Sequence, residues 1–306
     1  MKAALFALLL LPTLLDAGEL PPDKWAPPEP ISTGAALARY PSILNHKGAL
    51  YIVWSDNRLG AFDLFARVSS GGRWSDEELI FQSGFDSTDP HLCSDSRYLY
   101  LIWLEKAHEG EVLFSRFDGE RWSDPVRVSP PGSNPSDPRI AVLLRYPKPR
   151  LFAFWREGGS ILYSTSDDAG LSWSAPRRVD ESDNLQADFD VASGTTAVYV
   201  AWVEVGPEGR SLKFKPLGDP LRERTLTLAK GPLISRPSLA ALEPHLAVAW
   251  SSSPSPDEPS QILLSQSPDF GLSWGKPERL TDGSVESLSP TVAVGRRYIW
   301  VFWQSG

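Results

Sequence analysis

The chain has 306 residues, which is enough for one large hydrophobic core. Its formal net charge is −8 at pH 7. This acidic balance, without a basic patch, argues against nucleic acid and against anionic membrane surfaces as partners.

The N-terminal segment Met1–Ala17 is typical of a signal peptide. It carries one cation, Lys2, and then an apolar run to Leu15 that is too short to span a membrane. A buried N-terminal strand is the alternative, but it fits poorly with the sequence GELPPDK that follows. The sequence therefore predicts a secreted or periplasmic protein without a transmembrane anchor, whose residues 18–306 form a single domain.

Tryptophans recur along the chain in two series, each with a period near fifty residues. The first series ends short apolar runs such as YLIW and YVAW, and its members are Trp54, Trp103, Trp155, Trp202, Trp250 and Trp303. The second series mostly opens the phrase W-x-x-P, and its members are Trp25, Trp74, Trp122, Trp173 and Trp274. A fixed period of this length is typical of a repeat fold.

Each repeat reads as four short strands. Residues 89–129 hold the runs DPHLCS, YLYLIW, EVLFSRF and WSDPVRVS, which are rich in aromatic and β-branched residues and bounded by turn formers. Four-stranded units arranged around an axis bury each other's faces. The sequence therefore predicts an all-β protein, a six-bladed β-propeller.

The last predicted blade lacks a complete set of strands, because the chain stops at Gly306 soon after Trp303. The segment Trp25–Thr33 has the phrase of a fourth strand and is predicted to close the ring beside that blade. No third strand is visible between the signal peptide and Trp25. The sixth blade therefore either has three strands or is truncated.

Two turns carry the complete motif S-x-D-x-G-x-x-W, with degenerate copies at Ser69–Trp74 and Phe117–Trp122. In such a turn Asp accepts hydrogen bonds, Gly takes a positive φ and Trp packs between blades. The motif is the Asp-box, or BNR, repeat of sialidases and related propellers, a family that this chain resembles. The resemblance implies a structural role for the motif residues, which are Ser166, Asp168, Gly170, Trp173, Ser267, Asp269, Gly271 and Trp274.

A charged rim is predicted where first strands begin and second strands end, because both points lie on one face of a propeller. The residues before the first-strand proline, or at its position in a blade without proline, are Tyr40, Asp89, Asp137, Asp188, Arg236 and Ser289. The residues two places after the second-strand Trp are Asp56, Glu105, Glu157, Glu204, Ser252 and Ser305. Propeller mouths are usual ligand sites, although turn capping and solvated strand ends would give the same pattern.

The resemblance to sialidases implies roles for some of these positions. Sialidases bind a sugar carboxylate with three arginines and protonate the leaving group with an Asp. Arg39 lies in the corresponding phrase Arg39-Tyr40-Pro41, Arg58 follows nineteen residues later, and Asp63 follows five residues after that. Arg236 is a further candidate for this set of arginines, because of its position in its blade. The family's nucleophile, a Tyr activated by Glu, has no evident counterpart in the sequence.

Two functional classes stay open on this basis. The first is a retaining exo-sialidase, with Asp63 as acid/base and with Arg39, Arg58, Arg236, Tyr40, Asp56, Asp89, Asp137 and Glu105 binding an acidic sugar. The second is a non-catalytic propeller that binds a glycan or a protein through the same rim. The four histidines lack metal-binding spacing and no phosphate loop is present, so neither metal nor cofactor is predicted, and a monomer is expected.

Overall fold

The computed structural model describes residues 5–12, 28–34, 37–107, 109–145 and 148–306. These residues form strands, turns and loops and no helix. Among them there is accordingly no helix long and apolar enough to cross a bilayer. Contacts group the chain into two compact units, one ending at Glu181 and the other comprising Ser182–Gly306 together with β1 (Leu5–Pro12).

The unit that ends at Glu181 contains three antiparallel sheets. Sheet 1 consists of β2 (Ala38–His46), β3 (Ala49–Asp56), β4 (Asp63–Ser70), β5 (Arg73–Trp74) and β6 (Glu78–Phe81). Sheet 2 consists of β7 (Ser87–Ser94), β8 (Leu99–Glu105), β9 (Glu111–Phe117) and β10 (Val126–Arg127). Sheet 3 consists of β11 (Ser136–Leu143), β12 (Arg150–Glu157), β13 (Ser160–Ser166) and β14 (Arg177–Arg178). In sheets 2 and 3 the strands follow one another in chain order, whereas in sheet 1 both β5 and β6 pair with β4.

The other unit also contains three sheets. Sheet 4 consists of β15 (Leu185–Ala192), β16 (Val198–Gly206), β17 (Gly209–Leu217) and β18 (Leu226–Gly231). Sheet 5 consists of β19 (Leu233–Leu242), β20 (His245–Ser253), β21 (Gln261–Ser267) and β22 (Glu278–Arg279). Sheet 6 consists of β23 (Ser287–Val294), β24 (Tyr298–Ser305) and β1. The four antiparallel strands predicted for each repeat are confirmed in sheets 2 to 5.

Consecutive sheets within each unit bury each other's faces, as the repeat predicts. Val53 of sheet 1 shares a core cluster with Trp103 of sheet 2. In the other unit, Phe214 of sheet 4 shares one with Trp250 of sheet 5. The central strand β8 is buried along its whole length, so its alternate side chains face two different neighbours. The tryptophans that end the second strands are therefore core residues.

The predicted closing strand Trp25–Thr33 is wrong in its described part. Residues 28–34 form no strand, and Ile31 packs instead against sheet 1, where its carbonyl accepts a hydrogen bond from Arg67 Nη1 at 2.9 Å. Pro28 and Pro30 cannot donate backbone hydrogen bonds, which disfavours a ladder there. Residues 25–27 lie outside the described chain.

Sheet 6 has three strands among the described residues, and its third position is taken by β1. Leu5 pairs with Ser305 and Pro12 with Tyr298 in an antiparallel register. This apolar run lies within the segment that the sequence analysis interprets as a signal peptide. The signal peptide and the single-domain organisation both stay predictions.

The two complete S-x-D-x-G-x-x-W turns have the same hydrogen bonds. Asp168 accepts from Ser166 Oγ at 2.7 Å and from the amide of Ser172 at 2.9 Å. Asp269 accepts from Ser267 Oγ at 2.8 Å and from the amide of Ser273 at 2.9 Å. The aspartates thus hold their own turns, as the sequence predicts.

Replacing Asp168 or Asp269 by alanine is expected to lower the free energy of unfolding by about 1–3 kcal/mol, because each change leaves turn donors without an acceptor. Thermal melts and sugar-binding titrations measure both consequences. Asp257 is the control, since it is exposed and its carboxylate makes no hydrogen bond in the described chain. Lost sugar binding with an unchanged melting temperature would contradict the structural role.

Candidate functional site

The first strand of every sheet carries a β-bulge at the same place, where the register with the second strand shifts. None of the six bulge residues is glycine, and in five sheets the bulge residue has φ between 51° and 54°. Each such residue costs roughly 1–3 kcal/mol, a strain that proteins concentrate at functional sites. These five residues are Tyr40, Asp89, Asp137, Arg236 and Ser289. They are the positions predicted for the first row of the rim.

The bulges also align the first strands of neighbouring sheets. The residue two places after a bulge accepts a hydrogen bond from a backbone amide in the first strand of the following sheet. Ser42 Oγ accepts from Leu92 at 3.1 Å, and Asp190 accepts from Leu239 at 2.9 Å. Ser238 Oγ likewise accepts from the amide of Val292. This repeated bond holds the bulge residues of each unit in register.

His91 fills the same position in sheet 2, where its Nδ1 accepts from the amide of Ile140 at 3.3 Å. Burial, followed by repulsion from Arg139, lowers the pKa of His91 to about 3. The imidazole is therefore neutral and acts as an acceptor between strands. His91 is a structural residue.

The unit that ends at Glu181 presents Tyr40, Asp89 and Asp137 at its bulges. The Tyr40 side chain is exposed, and Asp137 forms an ion pair with Arg156 at 2.7 Å. Burial raises the pKa of Asp89, and the negative charge of Asp137 raises it further. These side chains form a polar surface that is predominantly acidic.

The other unit presents Asp188, Arg236 and Ser289 at its bulges. The amide of Arg236 donates to Asp188 at 2.9 Å, and its guanidinium Nη1 donates to the hydroxyl of Ser289. Because the guanidinium meets a hydroxyl and no carboxylate among the described residues, its charge is not neutralised by an ion pair. Arg236 is exposed and is available to an anionic group.

Three acids of the predicted second row of the rim form hydrogen bonds with tryptophans of the core. Asp56, Glu105 and Glu157 each accept the indole N–H of the tryptophan two residues earlier, at 3.2, 3.3 and 2.9 Å. Asp56 and Glu105 are buried. A buried indole N–H without an acceptor is costly, which explains why an acid follows these tryptophans. As substrate contacts, Asp56 and Glu105 stay predictions.

Arg58 is held between two carboxylates. Its Nη2 lies 2.6 Å from Asp56, and its Nη1 forms an ion pair with Glu77. Ser32 accepts a further hydrogen bond, and the guanidinium lies 4.4 Å from the centre of the Phe65 ring. Burial alone raises the pKa of Asp56, but the bonds from Arg58 and Trp54 bring it below its ordinary value. The charge of Arg58 is therefore already compensated.

Asp63 begins β4 opposite Asp56, in the hairpin that ends β3. Its side chain is 1% exposed, and its Oδ1 has no hydrogen-bond partner among the described residues. Oδ2 accepts a hydrogen bond from Gln82 at 3.3 Å. Burial raises the pKa of Asp63, despite the bond from Gln82, and the nearby carboxylates of Glu105 and Asp56 raise it further. A raised pKa suits a general acid, whereas the burial keeps the group from solvent.

Arg39 differs from Arg58, although both belong to the same unit. It is exposed, has no carboxylate partner among the described residues and lies 5.9 Å from the centre of the Phe62 ring. Its guanidinium is free to pair with an anionic group, which is the role that the sequence analysis predicts for it.

A Tyr–Glu pair that sequence reasoning missed lies away from the bulges. Tyr199 donates to Glu243 at 2.7 Å, at the end of sheet 4 where β15 turns into β16. Burial raises the pKa of Tyr199, as does the bond to Glu243, which is the opposite of an activated nucleophile. Tyr100 and Asp95 repeat the arrangement at 2.7 Å in sheet 2. Its recurrence indicates that the pair stabilises turns.

Metal ligands do not cluster in the described chain, where no group of three or more His, Cys, Asp or Glu residues could hold an ion. His108 lies outside the described residues. Cys93 is buried in β7 as part of the core between sheets 2 and 3.

Comparisons with known proteins identify relatives by fold. No protein-family model and no curated protein matches the chain significantly. A Trypanosoma rangeli sialidase structure gives a TM-score of 0.54 at 12% identity, over 88% of this chain and 55% of that chain. Its complex with 2,3-difluoro-KDN gives a TM-score of 0.55 at 11% identity, over 88% of this chain and 54% of that one. An α-L-arabinofuranosidase from Podospora anserina gives 0.47 at 12% identity, over 91% of this chain and 93% of that chain.

The likeness to the two sialidase structures shows the fold alone. The chain is an all-β protein with a sialidase-like β-propeller fold, and it spans about half the length of the sialidases that it matches.

Proposed function

We propose that the chain is a glycan-binding propeller in which the bulge residues of each unit, taken by itself, bind an acidic sugar. The observation that carries this proposal is the repeated bulge, which keeps polar side chains in strained conformations at equivalent points of five sheets. A purely structural bulge could use glycine without that strain. Ligand binding by these side chains would account for the strain of their backbone conformation.

Two arginines favour an anionic ligand. The guanidinium groups of Arg39 and Arg236 are exposed, and neither has a carboxylate partner in the described parts of the chain. Such groups pair with a sugar carboxylate through two parallel hydrogen bonds. Arg58 does not contribute in this proposal, because Asp56 and Glu77 occupy it. With the predicted signal peptide, binding would take place outside the cytoplasm.

Replacing Arg39 or Arg236 by alanine is expected to weaken binding of N-acetylneuraminate by roughly 1.5–3 kcal/mol, the contribution of a hydrogen bond to a charged group. Calorimetric titration measures the loss. The methyl ester of the sugar separates charge recognition from contacts to the ring. Arg279→Ala on β22 is the matched control, because this arginine is exposed and lies away from the bulges. Equal affinity of all three variants for the acid would refute the proposal.

A retaining exo-sialidase is the second candidate, favoured by the raised pKa of Asp63 and by its spacing from Arg39 and Arg58. Its nucleophile is not identified, and the burial of Asp63 would have to be relieved for it to protonate a leaving group. A fluorogenic sialoside distinguishes the two candidates. Hydrolysis that is lost in Asp63→Asn while sugar binding persists would establish the enzyme. Binding without hydrolysis by the wild type would leave the binding propeller.

A further inference from the structure

Sheet 4 contains a polar cleft beside the hairpin that joins β16 to β17. The cleft has a volume of about 380 Å³, in the range of small-ligand sites. Three cations line it, Arg210, Lys213 and Lys230, together with the acids Glu204 and Glu208. The cations outnumber the acids in this lining, although the net charge of the chain is −8.

Lys213 occupies a position that is apolar elsewhere. It lies directly across from Trp202 in the β16–β17 ladder. The equivalent partners of the second-strand tryptophans in sheets 1, 2, 3 and 5 are Phe65, Leu113, Leu162 and Leu263. Directly opposed residues share one face of a sheet, so Lys213 brings a charge to the face that holds Trp202. Its side chain is 18% exposed, and Nζ lies 3.0 Å from Thr227 Oγ1.

The lysine changes the partner of the acid that follows the tryptophan. In sheets 1 to 3 this acid accepts the indole N–H. In sheet 4 the acid is Glu204, whose Oε1 lies 3.2 Å from Lys213 Nζ. Trp202 is fully buried, and its Nε1 has no hydrogen-bond partner among the described residues. The carboxylate of Glu204 could therefore accept from two donors, the indole N–H of Trp202 and the ammonium of Lys213. It pairs with the ammonium, and the indole N–H is left without an acceptor.

We propose that this cleft binds an anionic saccharide whose carboxylate or sulfate group replaces Glu204 on Lys213. Glu204 is then free to accept the indole N–H of Trp202, as Asp56, Glu105 and Glu157 do in their sheets. The exchange leaves Lys213 paired and satisfies the buried indole donor, so binding recovers a hydrogen bond that the empty cleft lacks. Lys230 provides a second cation on the cleft wall. The site is independent of the bulge residues and of their proposed function.

Indole N–H resonances of isotope-labelled protein test the exchange, with Trp202→Phe assigning the Trp202 signal. The probes are glucuronate, glucose 6-sulfate, glucose and inorganic sulfate at equal ionic strength. We expect glucuronate, glucose 6-sulfate or both to move the Trp202 resonance downfield in a saturable way. A response to one of them identifies the preferred anionic group, and glucose is expected to have no effect.

Variants of the ion pair make the test decisive. Lys213→Met is expected to reduce the affinity at least about tenfold, the contribution of a charged hydrogen bond, while Lys213→Arg retains binding. Glu204→Gln removes the competing carboxylate and should raise the affinity, which keeps the proposal testable if Lys213→Met does not fold. Three results would overturn the proposal. They are a Trp202 resonance that does not shift with either anionic sugar, a lower affinity of the Glu204→Gln variant for the sugars, and an affinity for inorganic sulfate as high as that for the sugars.

Discussion

Replacement of Arg58 by methionine is expected to lower the free energy of unfolding by about 2–4 kcal/mol. The change keeps most of the aliphatic packing but leaves Asp56 buried without its cationic partner, and breaking such a pair costs more than the pair itself contributes. Urea denaturation at pH 7 measures the loss. Arg39→Met is the control, expected to change stability by less than about 0.5 kcal/mol because Arg39 is exposed and unpaired.

The pH dependence of this loss identifies its cause. In the wild type the folded-state pKa of Asp56 is lowered, so its stabilising contribution is present above the unfolded pKa of about 3.9 and disappears as the pH falls. Without Arg58, burial raises the folded pKa, and Asp56 destabilises the fold as the pH rises through the same region. The difference between wild type and variant should therefore be largest at neutral pH and should shrink as the pH falls through the folded pKa of Asp56.

The opposite result has an equally clear meaning. Should Arg58→Met keep the stability of the wild type and lose binding of N-acetylneuraminate, Arg58 would serve the ligand as the resemblance to sialidases implies. Asp56 and Glu77 would then be groups that position the guanidinium for the sugar.

Gly170→Ala is expected to destabilise the protein by about 2–5 kcal/mol, the sum of a left-handed backbone and an overpacked contact. Gly170 has φ of 86°, and an added Cβ would lie well inside van der Waals contact of the Phe114 ring. That ring packs edge-on against Trp173 at a centroid distance of 5.3 Å, so it cannot move away easily. Thermal denaturation measures the effect.

Gly84→Ala separates the two contributions. Gly84 has the same φ of 86°, but an added Cβ there would meet nothing within 4 Å. This control is expected to lose only about 1–2 kcal/mol, the backbone contribution. Gly271→Ala should behave like Gly170→Ala, because its Cβ would lie 2.6 Å from the Phe214 ring. A loss at Gly170 no larger than at Gly84 would show that the ring contact does not constrain the turn.

Part of the candidate site could be predicted from the sequence because it follows from the repeat. The positions of the bulge residues are predicted by the proline that follows them, or by the same place in the repeat without proline, and the structure places five of the six at positive φ. The distinction between Arg39 and Arg58 could not be predicted, since it depends on Glu77, which is distant in sequence and meets Arg58 through folding. Sequence spacing carries no information about which carboxylates already form ion pairs with an arginine.

The sequence by itself determined the all-β repeat, the four strands that make up sheets 2 to 5 and the turns held by Asp168 and Asp269. These features are local, because strand alternation, turn chemistry and a fifty-residue period are written in neighbouring residues. The tertiary structure decided where Ile31 packs and how deeply Asp63 is buried. It also decided that Glu204 pairs with Lys213 and not with the indole N–H of Trp202. Each of these outcomes is a competition between groups from different strands, and only their distances in the folded chain decide which group prevails.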